Sequence, residues 1–178
     1  MTVHTLVISS SLNVESKSRL LARVVYDDIP QASGTKRFMD LRDHPLPLCD
    51  GGKAYGDANV KIVEAQIKEA DCIIVGFPVY NYSCSAALKN LVELTGRAWE
   101  NKVVGFVCAA GGKSSYMSVM NIATSLMLDF RSVIVPRFVY ADGEGFSGVE
   151  ISDPSLRKRL EELALSSTRF AQALKSVN

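Results

Sequence analysis

The chain has 178 residues, of which 47% are hydrophobic and 22% are charged, and its formal net charge is +1. This length and composition are typical of one globular domain, so we expect residues 1–178 to fold as a single domain. A near-neutral chain has no global attraction to nucleic acid or to an anionic membrane, so we expect neither as a partner.

The amino-terminal residues run directly into a strand-like segment, with no basic region and no cleavage site. No apolar run approaches the roughly 18 residues that a membrane-spanning helix needs, so we expect a cytoplasmic protein. The four cysteines are widely spaced, form no C-x-x-C pair, and are accompanied by only two histidines. This spacing is typical of free thiols, and no metal site is predicted.

Five short apolar segments alternate with longer amphipathic ones. Because the short segments are almost continuously hydrophobic, they are predicted to be strands buried on both faces of a parallel sheet. The predicted strands are residues 4–9, 36–39, 72–77, 102–109 and 133–140. The predicted helices are about 17–28, 59–69, 86–96, 116–130 and 153–177. This alternation indicates a doubly wound α/β domain whose strand-to-helix loops gather at the carboxyl edge of the sheet.

The segment after the first predicted strand is rich in hydroxyl side chains. Residues 9–19 have the sequence SSSLNVESKSR and lead into a helix. A helix N-terminus presents unpaired N–H groups and a partial positive charge, which suit a phosphate. The same serines could serve only as helix caps, and composition leaves both roles open. No G-x-G-x-x-G motif occurs, so a mononucleotide phosphate is favoured over a dinucleotide.

Two later loops have compositions that suit a flat heteroaromatic ring. Residues 77–90, FPVYNYSCSAALKN, offer tyrosines, an amide and hydroxyls that could cover a ring or simply pack together. Residues 109–116, AAGGKSSY, contain paired glycines that allow backbone N–H groups to approach a ring carbonyl. A phosphate-binding P-loop is not predicted here, because Val107 stands where that motif requires its first glycine.

Together these segments resemble the NADPH-dependent FMN reductase family. The PVYN sequence at 78–81, a following serine and ALKN at 87–90 resemble the flavin loop of that family. The serine-rich loop resembles its phosphate loop, G-S-x-R-x-x-S-x-N, with Ser10, Asn13 and Ser18 in place of the glycine, arginine and asparagine.

Two other features extend the resemblance over essentially the whole chain. Gly111-Gly112 resembles the third flavin loop, and residues 40–48 resemble the proline-rich segment after the second strand. Val79 replaces the glutamate of the azo- and quinone-reducing members. It is similar to the form found in reductases that supply reduced FMN to monooxygenases.

The resemblance implies a flavodoxin-like three-layer sandwich, with a five-stranded parallel sheet of order 2-1-3-4-5 and helices on both faces. It also implies an NAD(P)H-dependent FMN reductase that transfers hydride from NAD(P)H to FMN and on to a small acceptor, namely free flavin, a quinone or an azo compound. Family members are homodimers or homotetramers, and a flavin-dependent monooxygenase is a further expected partner. The methionines Met117, Met120 and Met127 of the fourth helix suit either an adaptable subunit surface or plain core packing.

The resemblance also assigns FMN contacts by position. The residues expected at the phosphate are Ser11, Asn13, Ser16, Lys17 and Ser18. Those expected along the isoalloxazine are Pro78, Val79, Tyr80, Asn81 and Ser83, and those at its pyrimidine edge are Gly111, Gly112 and Lys113. Lys113 would also stabilise negative charge on the reduced ring. No catalytic acid, base or nucleophile is predicted, because the flavin carries the chemistry.

Two alternatives to an enzyme follow from the same residues. One is an electron carrier of the flavodoxin type, and the other is a protein that binds flavin without turnover. A carrier generally needs a strongly acidic surface to steer it to redox partners, so the charge of +1 disfavours it.

Overall fold

The computed structural model describes residues 2–148 and 150–176. The strands are β1 (Val3–Ser9), β2 (Gly34–Asp40), β3 (Cys72–Tyr80), β4 (Ser83–Cys84), β5 (Val103–Ala109), β6 (Val133–Ile134), β7 (Val139–Ala141), β8 (Phe146–Ser147) and β9 (Glu150–Ile151). The helices are α1 (Lys17–Asp28), α2 (Ala58–Glu69), α3 (Ala86–Thr95), α4 (Met120–Phe130) and α5 (Pro154–Lys175). The predicted end of the last helix at Val177 lies outside the described residues.

The main sheet has the order β2-β1-β3-β5, followed at its far edge by β6 and β7, and these neighbours all pair in parallel. The predicted order and the flavodoxin-like topology are therefore confirmed. The sheet contains seven strands in place of the five predicted, for two reasons. The fifth predicted strand is interrupted, and β4 adds a short antiparallel partner to β3.

The interruption lies at residues 135–138, between β6 and β7. Pro136 cannot donate to the ladder, and Arg137 has a left-handed backbone with φ of +60°. Both short strands still pair with β5 in parallel, so the edge of the sheet remains parallel on both sides of the break.

Apolar side chains cover both faces of the sheet and form two cores. On one face α2, α3 and α4 pack around Phe77 and Phe106, whose rings meet edge to face at 6.1 Å. On the other face α1 and α5 contribute Leu21 and Leu160. This is the predicted three-layer arrangement. No helix in the described part of the chain is both long and apolar enough to cross a membrane.

Gly76 in β3 sets the position of α1. A Cβ at this position would lie 2.7 Å from the Cβ of Ala22 and 3.0 Å from the carbonyl oxygen of Ser18. The helix can therefore lie directly on the strand only because residue 76 has no side chain. This close approach brings the N-terminus of α1 to the carboxyl edge of the sheet.

Candidate functional site

A cleft of about 360 Å³ lies at the carboxyl edge of the sheet. We call it the carboxyl-edge cleft. Its walls come from loop 1 (residues 10–16 and the start of α1), loop 2 (78–85), loop 3 (110–116) and the turn after β7. The lining residues are Ser11, Asn13, Glu15, Ser16, Lys17, Ser18, Pro78, Tyr80, Ala109, Ala110, Gly111 and Gly143. The structure thus brings together all the residues predicted at the phosphate, along with Pro78, Tyr80 and Gly111.

Loop 1 is held in shape by its own side chains. The Ser11 hydroxyl accepts a hydrogen bond from the N–H of Asn13 at 3.3 Å, and the Asn13 side chain accepts from the N–H of Glu15 at 3.0 Å. Ser16 is the N-cap of α1, because its Oγ accepts from the N–H of Arg19 at 3.1 Å. The capping role that composition left open is therefore observed for Ser16.

The same loop retains donors that suit an anion. No described residue accepts a hydrogen bond from the N–H of Lys17 or Ser18, which are the first two residues of the twelve-residue helix α1. The Ser18 hydroxyl lies 3.0 Å from that of Ser16. The Lys17 ammonium lies 4.8 Å from the centre of the Phe146 ring and adds a cation at the cleft. These donors and the helix dipole favour a phosphate.

A buried carboxylate links the start of α1 to the end of β2. Asp40 is 5% exposed, and its Oδ2 accepts from Arg19 Nε at 2.6 Å and from Arg42 Nη2 at 2.7 Å. Burial alone would raise the pKa of Asp40, but the hydrogen bonds from Arg42 and Arg19 outweigh it and lower the pKa below its usual value. The sequence does not reveal this cluster, because Arg19 lies 21 positions from Asp40 and meets it only when α1 packs beside the end of β2.

Loop 2 is a tight hairpin. Val79 pairs with Cys84 and Tyr80 with Ser83, and the two turn residues between the strands, Asn81 and Tyr82, have φ of +49° and +63°. These values are typical of a two-residue type I′ turn.

The hairpin geometry explains why only some residues of loop 2 face the cleft. Successive side chains of a strand point to opposite sides, so Pro78 and Tyr80 line the cleft while Val79 packs against the core. Asn81 lies at the exposed tip of the hairpin, and Ser83 is the first residue of β4. The structure therefore does not bring Val79, Asn81 and Ser83 into the lining.

Loop 3 is tied to the strand and turn beside it. The Tyr140 hydroxyl donates to the carbonyl of Gly112, and the Lys113 ammonium pairs with Glu144 at 2.6 Å. That hydrogen bond raises the pKa of Lys113. These partners hold Gly112 and Lys113 outside the lining, in contrast to Gly111.

The structure also adds cleft residues that the sequence analysis missed, namely Glu15, Ala109, Ala110 and Gly143. Gly143 follows β7, where the Asp142-Gly143 pair is typical of a turn but does not by itself indicate a ligand contact. A Cβ built at Gly111 or Gly143 would meet no atom within 4 Å, so open space lies above both backbones. Anion donors on one side of the cleft and open backbone on the other are compatible with a phosphate and a flat ring.

The fold and this cleft define a flavodoxin-like protein with a mononucleotide site. Residues 3–146 match the family model described as NADPH-dependent FMN reductase. An NAD(P)H-dependent FAD/FMN reductase of Geobacillus thermodenitrificans is 33% identical over 144 residues, which cover 79% of this chain and 77% of the relative. A probable NADPH:quinone oxidoreductase of Oryza sativa subsp. japonica is 30% identical over 183 residues, covering 94% and 88%.

Among solved structures, the flavoenzyme FerB of Paracoccus denitrificans, an NAD(P)H:(acceptor) oxidoreductase, matches with a TM-score of 0.77 and 18% identity. The match covers 97% of this chain and 98% of that one, and it supports the fold. The chain belongs to the NADPH-dependent FMN reductase family. It is an oxidoreductase that uses FMN and NAD(P)H, as predicted, and its acceptors are small molecules.

Proposed function

We propose that this protein reduces a quinone with electrons that pass from NAD(P)H through FMN. The reaction consumes NAD(P)H, one proton and the quinone, and it yields NAD(P)⁺ and the hydroquinone. The observation that carries the proposal is the carboxyl-edge cleft, where anion donors of loop 1 face the open backbone of Gly111 and Gly143. The rice relative named as a quinone oxidoreductase supports the acceptor class. Val79, which differs from the glutamate of the quinone-reducing members, packs against the core outside the lining and does not decide the acceptor.

Loop 1 would hold the phosphate of FMN. The N–H groups of Lys17 and Ser18 and the hydroxyls of Ser11 and Ser16 are the donors, and Asn13 completes the rim. Hydrogen bonds to a charged group contribute about 1.5–3 kcal/mol each, so this loop would dominate the affinity.

Loops 2 and 3 would position the ring. Tyr80 is 55% exposed at the cleft and would cover one face of the ring. Pro78 and Gly111, which also line the cleft, would contact the rest of the ring. We place four of the remaining predicted contacts at the rim of the cleft, namely Asn81, Ser83, Gly112 and Lys113. Val79, whose side chain packs against the core, would act only through the strand that carries Tyr80. FMN supplies the redox chemistry, by accepting two electrons from the nicotinamide and returning them to the acceptor.

We further infer that the protein is a homodimer or a homotetramer that associates through α4 and the 3-10 turns before it, which hold Met117 because the predicted fourth helix begins only at Met120. Met117, Met120 and Met127 are 48%, 41% and 41% exposed, and Leu128 beside them is 80% exposed. Unbranched methionines adapt well to a partner surface. A partner monooxygenase and a cytoplasmic location, both expected from the sequence, stay predictions.

An anaerobic titration tests the proposed function. The purified protein is loaded with FMN, and NAD(P)H should bleach the visible absorbance of the bound flavin. Addition of a quinone should then restore the absorbance without oxygen. Bleaching that no small acceptor reverses would instead indicate a protein that stores flavin without turnover. Failure of NAD(P)H to bleach the flavin would contradict the proposal itself.

A further inference from the structure

A second cavity of about 500 Å³ borders loop 1 at Leu12, the segment after β2, and the start of α3. We call it the leucine cleft, because its walls include Leu12, Leu41, Leu46 and Leu48. Leu12 lies between Ser11 and Asn13, which both line the carboxyl-edge cleft, so the two cavities border consecutive residues of loop 1. A ligand at the first cleft that reaches over the exposed Leu12 side chain would contact the second.

The leucine cleft is lined mainly by aliphatic side chains. Leu12 and Leu48 are 63% and 83% exposed, which leaves aliphatic surface in contact with water. Arg42 and His44 are polar members of the lining, and Arg42 donates from Nε and Nη2 to the buried carboxylate of Asp40, which also accepts from Arg19. A volume of this size and this mainly apolar lining suit an apolar group.

One side chain holds the outer wall of the leucine cleft in place. Asn90 of α3 donates from Nδ2 to the carbonyl of Pro47 at 2.9 Å, and its Oδ1 accepts from the N–H of Cys49 at 2.8 Å. The wall between these two residues carries Leu48 and has no helix or strand of its own. Asn90 is therefore the link that fixes this wall to the helix that follows loop 2.

We propose that the leucine cleft receives the apolar substituent of a quinone whose ring is reduced at the carboxyl-edge cleft, and that Asn90 is the positioning residue for its wall. This inference rests on the proposed function and names the acceptors that the site prefers. The apolar walls give the protein a preference for quinones with an alkyl chain over the same ring without one.

The test compares two acceptors that share the ubiquinone ring, one bare and one with a decyl chain. We expect kcat/KM to be at least about tenfold higher for the decyl compound, since its chain leaves water on binding. Leu48→Gln should raise KM for the decyl compound about tenfold and leave its kcat unchanged. The kinetic constants for the bare quinone should not change. Ile62→Gln, which removes an aliphatic side chain exposed on α2, is the matched control and should change neither value.

Asn90 is tested by a pair of variants. Asn90→Leu removes both hydrogen bonds and should raise KM for the decyl quinone, while FMN affinity stays the same. Asn90→Asp keeps the acceptor for the Cys49 N–H and should restore part of the preference. Loss of FMN affinity in Asn90→Leu would mean that the residue acts through loop 2 and would overturn its assigned role.

Calorimetry of decyl quinone binding to the oxidised, FMN-loaded protein gives a measurement that does not depend on turnover. If Leu48→Gln weakens this binding, the result supports the leucine cleft even when NAD(P)H fails to reduce the flavin. The two proposals can therefore fail separately. Equal kcat/KM for the two quinones in the unmodified protein would overturn the inference. So would sedimentation showing that Leu48→Gln dissociates an oligomer, because a second copy would then cover the cleft.

Discussion

The hydroxyl of Ser16 lies 3.0 Å from the hydroxyl of Ser18 at the first turn of α1. Ser16 also caps the helix by accepting from the N–H of Arg19. The same side chain thus stabilises the helix and stands at the proposed phosphate position. Any test of FMN binding at this residue must separate these two roles.

The first prediction concerns the phosphate. Ser11→Ala and Ser16→Ala should each weaken FMN binding by roughly 10–100-fold, because each removes a hydrogen bond of about 1.5–3 kcal/mol to a charged group. Riboflavin lacks the phosphate, so its affinity should barely change. Calorimetric titration of both ligands measures the difference.

Ser16→Asp is the control for capping. Aspartate caps helices as well as serine does, so the free energy of unfolding should be retained, whereas its negative charge should repel the phosphate. Equal losses of FMN and riboflavin affinity in Ser16→Ala would show that the loop acts through stability alone. Unchanged FMN affinity in both alanine variants would place the phosphate elsewhere.

The second prediction is a pH dependence of stability from Asp40. Its pKa is lowered in the folded protein, so the ionised form contributes stability above the unfolded pKa of about 3.9. This contribution is lost as the pH falls through 3.9 towards the lowered folded value. Asp40→Asn should cost about 2 kcal/mol at pH 7, from the loss of its hydrogen bonds to two guanidinium groups.

Urea unfolding at a series of pH values measures this effect. The difference between the unmodified protein and Asp40→Asn should be constant from pH 7 to pH 5 and should shrink below pH 4. Asp50→Asn is a useful comparison, because Asp50 also has a lowered pKa but is exposed and bonded only to nearby backbone N–H groups. A gap for Asp40→Asn that stays the same at low pH would contradict the role given to its charge.

The third prediction concerns the contact between α1 and β3. Gly76→Ala would place a Cβ 2.7 Å from that of Ala22, which forces the helix outward and should cost about 1–3 kcal/mol. Because this helix carries loop 1, FMN affinity should fall together with stability. Gly56→Ala is the control, since a Cβ there meets nothing within 4 Å. Thermal unfolding with and without FMN measures both effects, and equal stability of the two variants would refute the packing argument.

Much of the fold could be predicted from the sequence because buried parallel strands are continuously apolar. That pattern located β1, β3 and β5 and gave the loops at their ends, including the residues of loop 1. It could not locate the break at residues 135–138, because a proline at a sheet edge is compatible with a strand and a left-handed arginine has no sequence signal.

The site was predicted less completely than the fold, and the reasons are geometric. Side chains alternate in direction along the loop 2 hairpin, so that of Val79 points away from the cleft. Predicting this direction requires knowing that residues 79–80 still belong to a strand. Lys113 pairs with Glu144, 31 positions further along the chain, and lies outside the lining. The direction of the Val79 side chain and the pairing of Lys113 with Glu144 both depend on the folded structure. A sequence motif alone does not reveal either of them.

The fourth prediction is that α4 forms the subunit interface. Leu128 is 80% exposed on this helix, and Met127 beside it is 41% exposed. Met127→Glu combined with Leu128→Glu places two charges on the proposed interface, where burying an unpaired charge is strongly unfavourable. We expect the variant to sediment as a monomer near the chain mass of 19.4 kDa, whereas the unmodified protein sediments as a dimer or a tetramer. Ile62→Glu on α2 should leave the association unchanged, and a monomeric unmodified protein at high concentration would show that the exposed methionines serve another purpose.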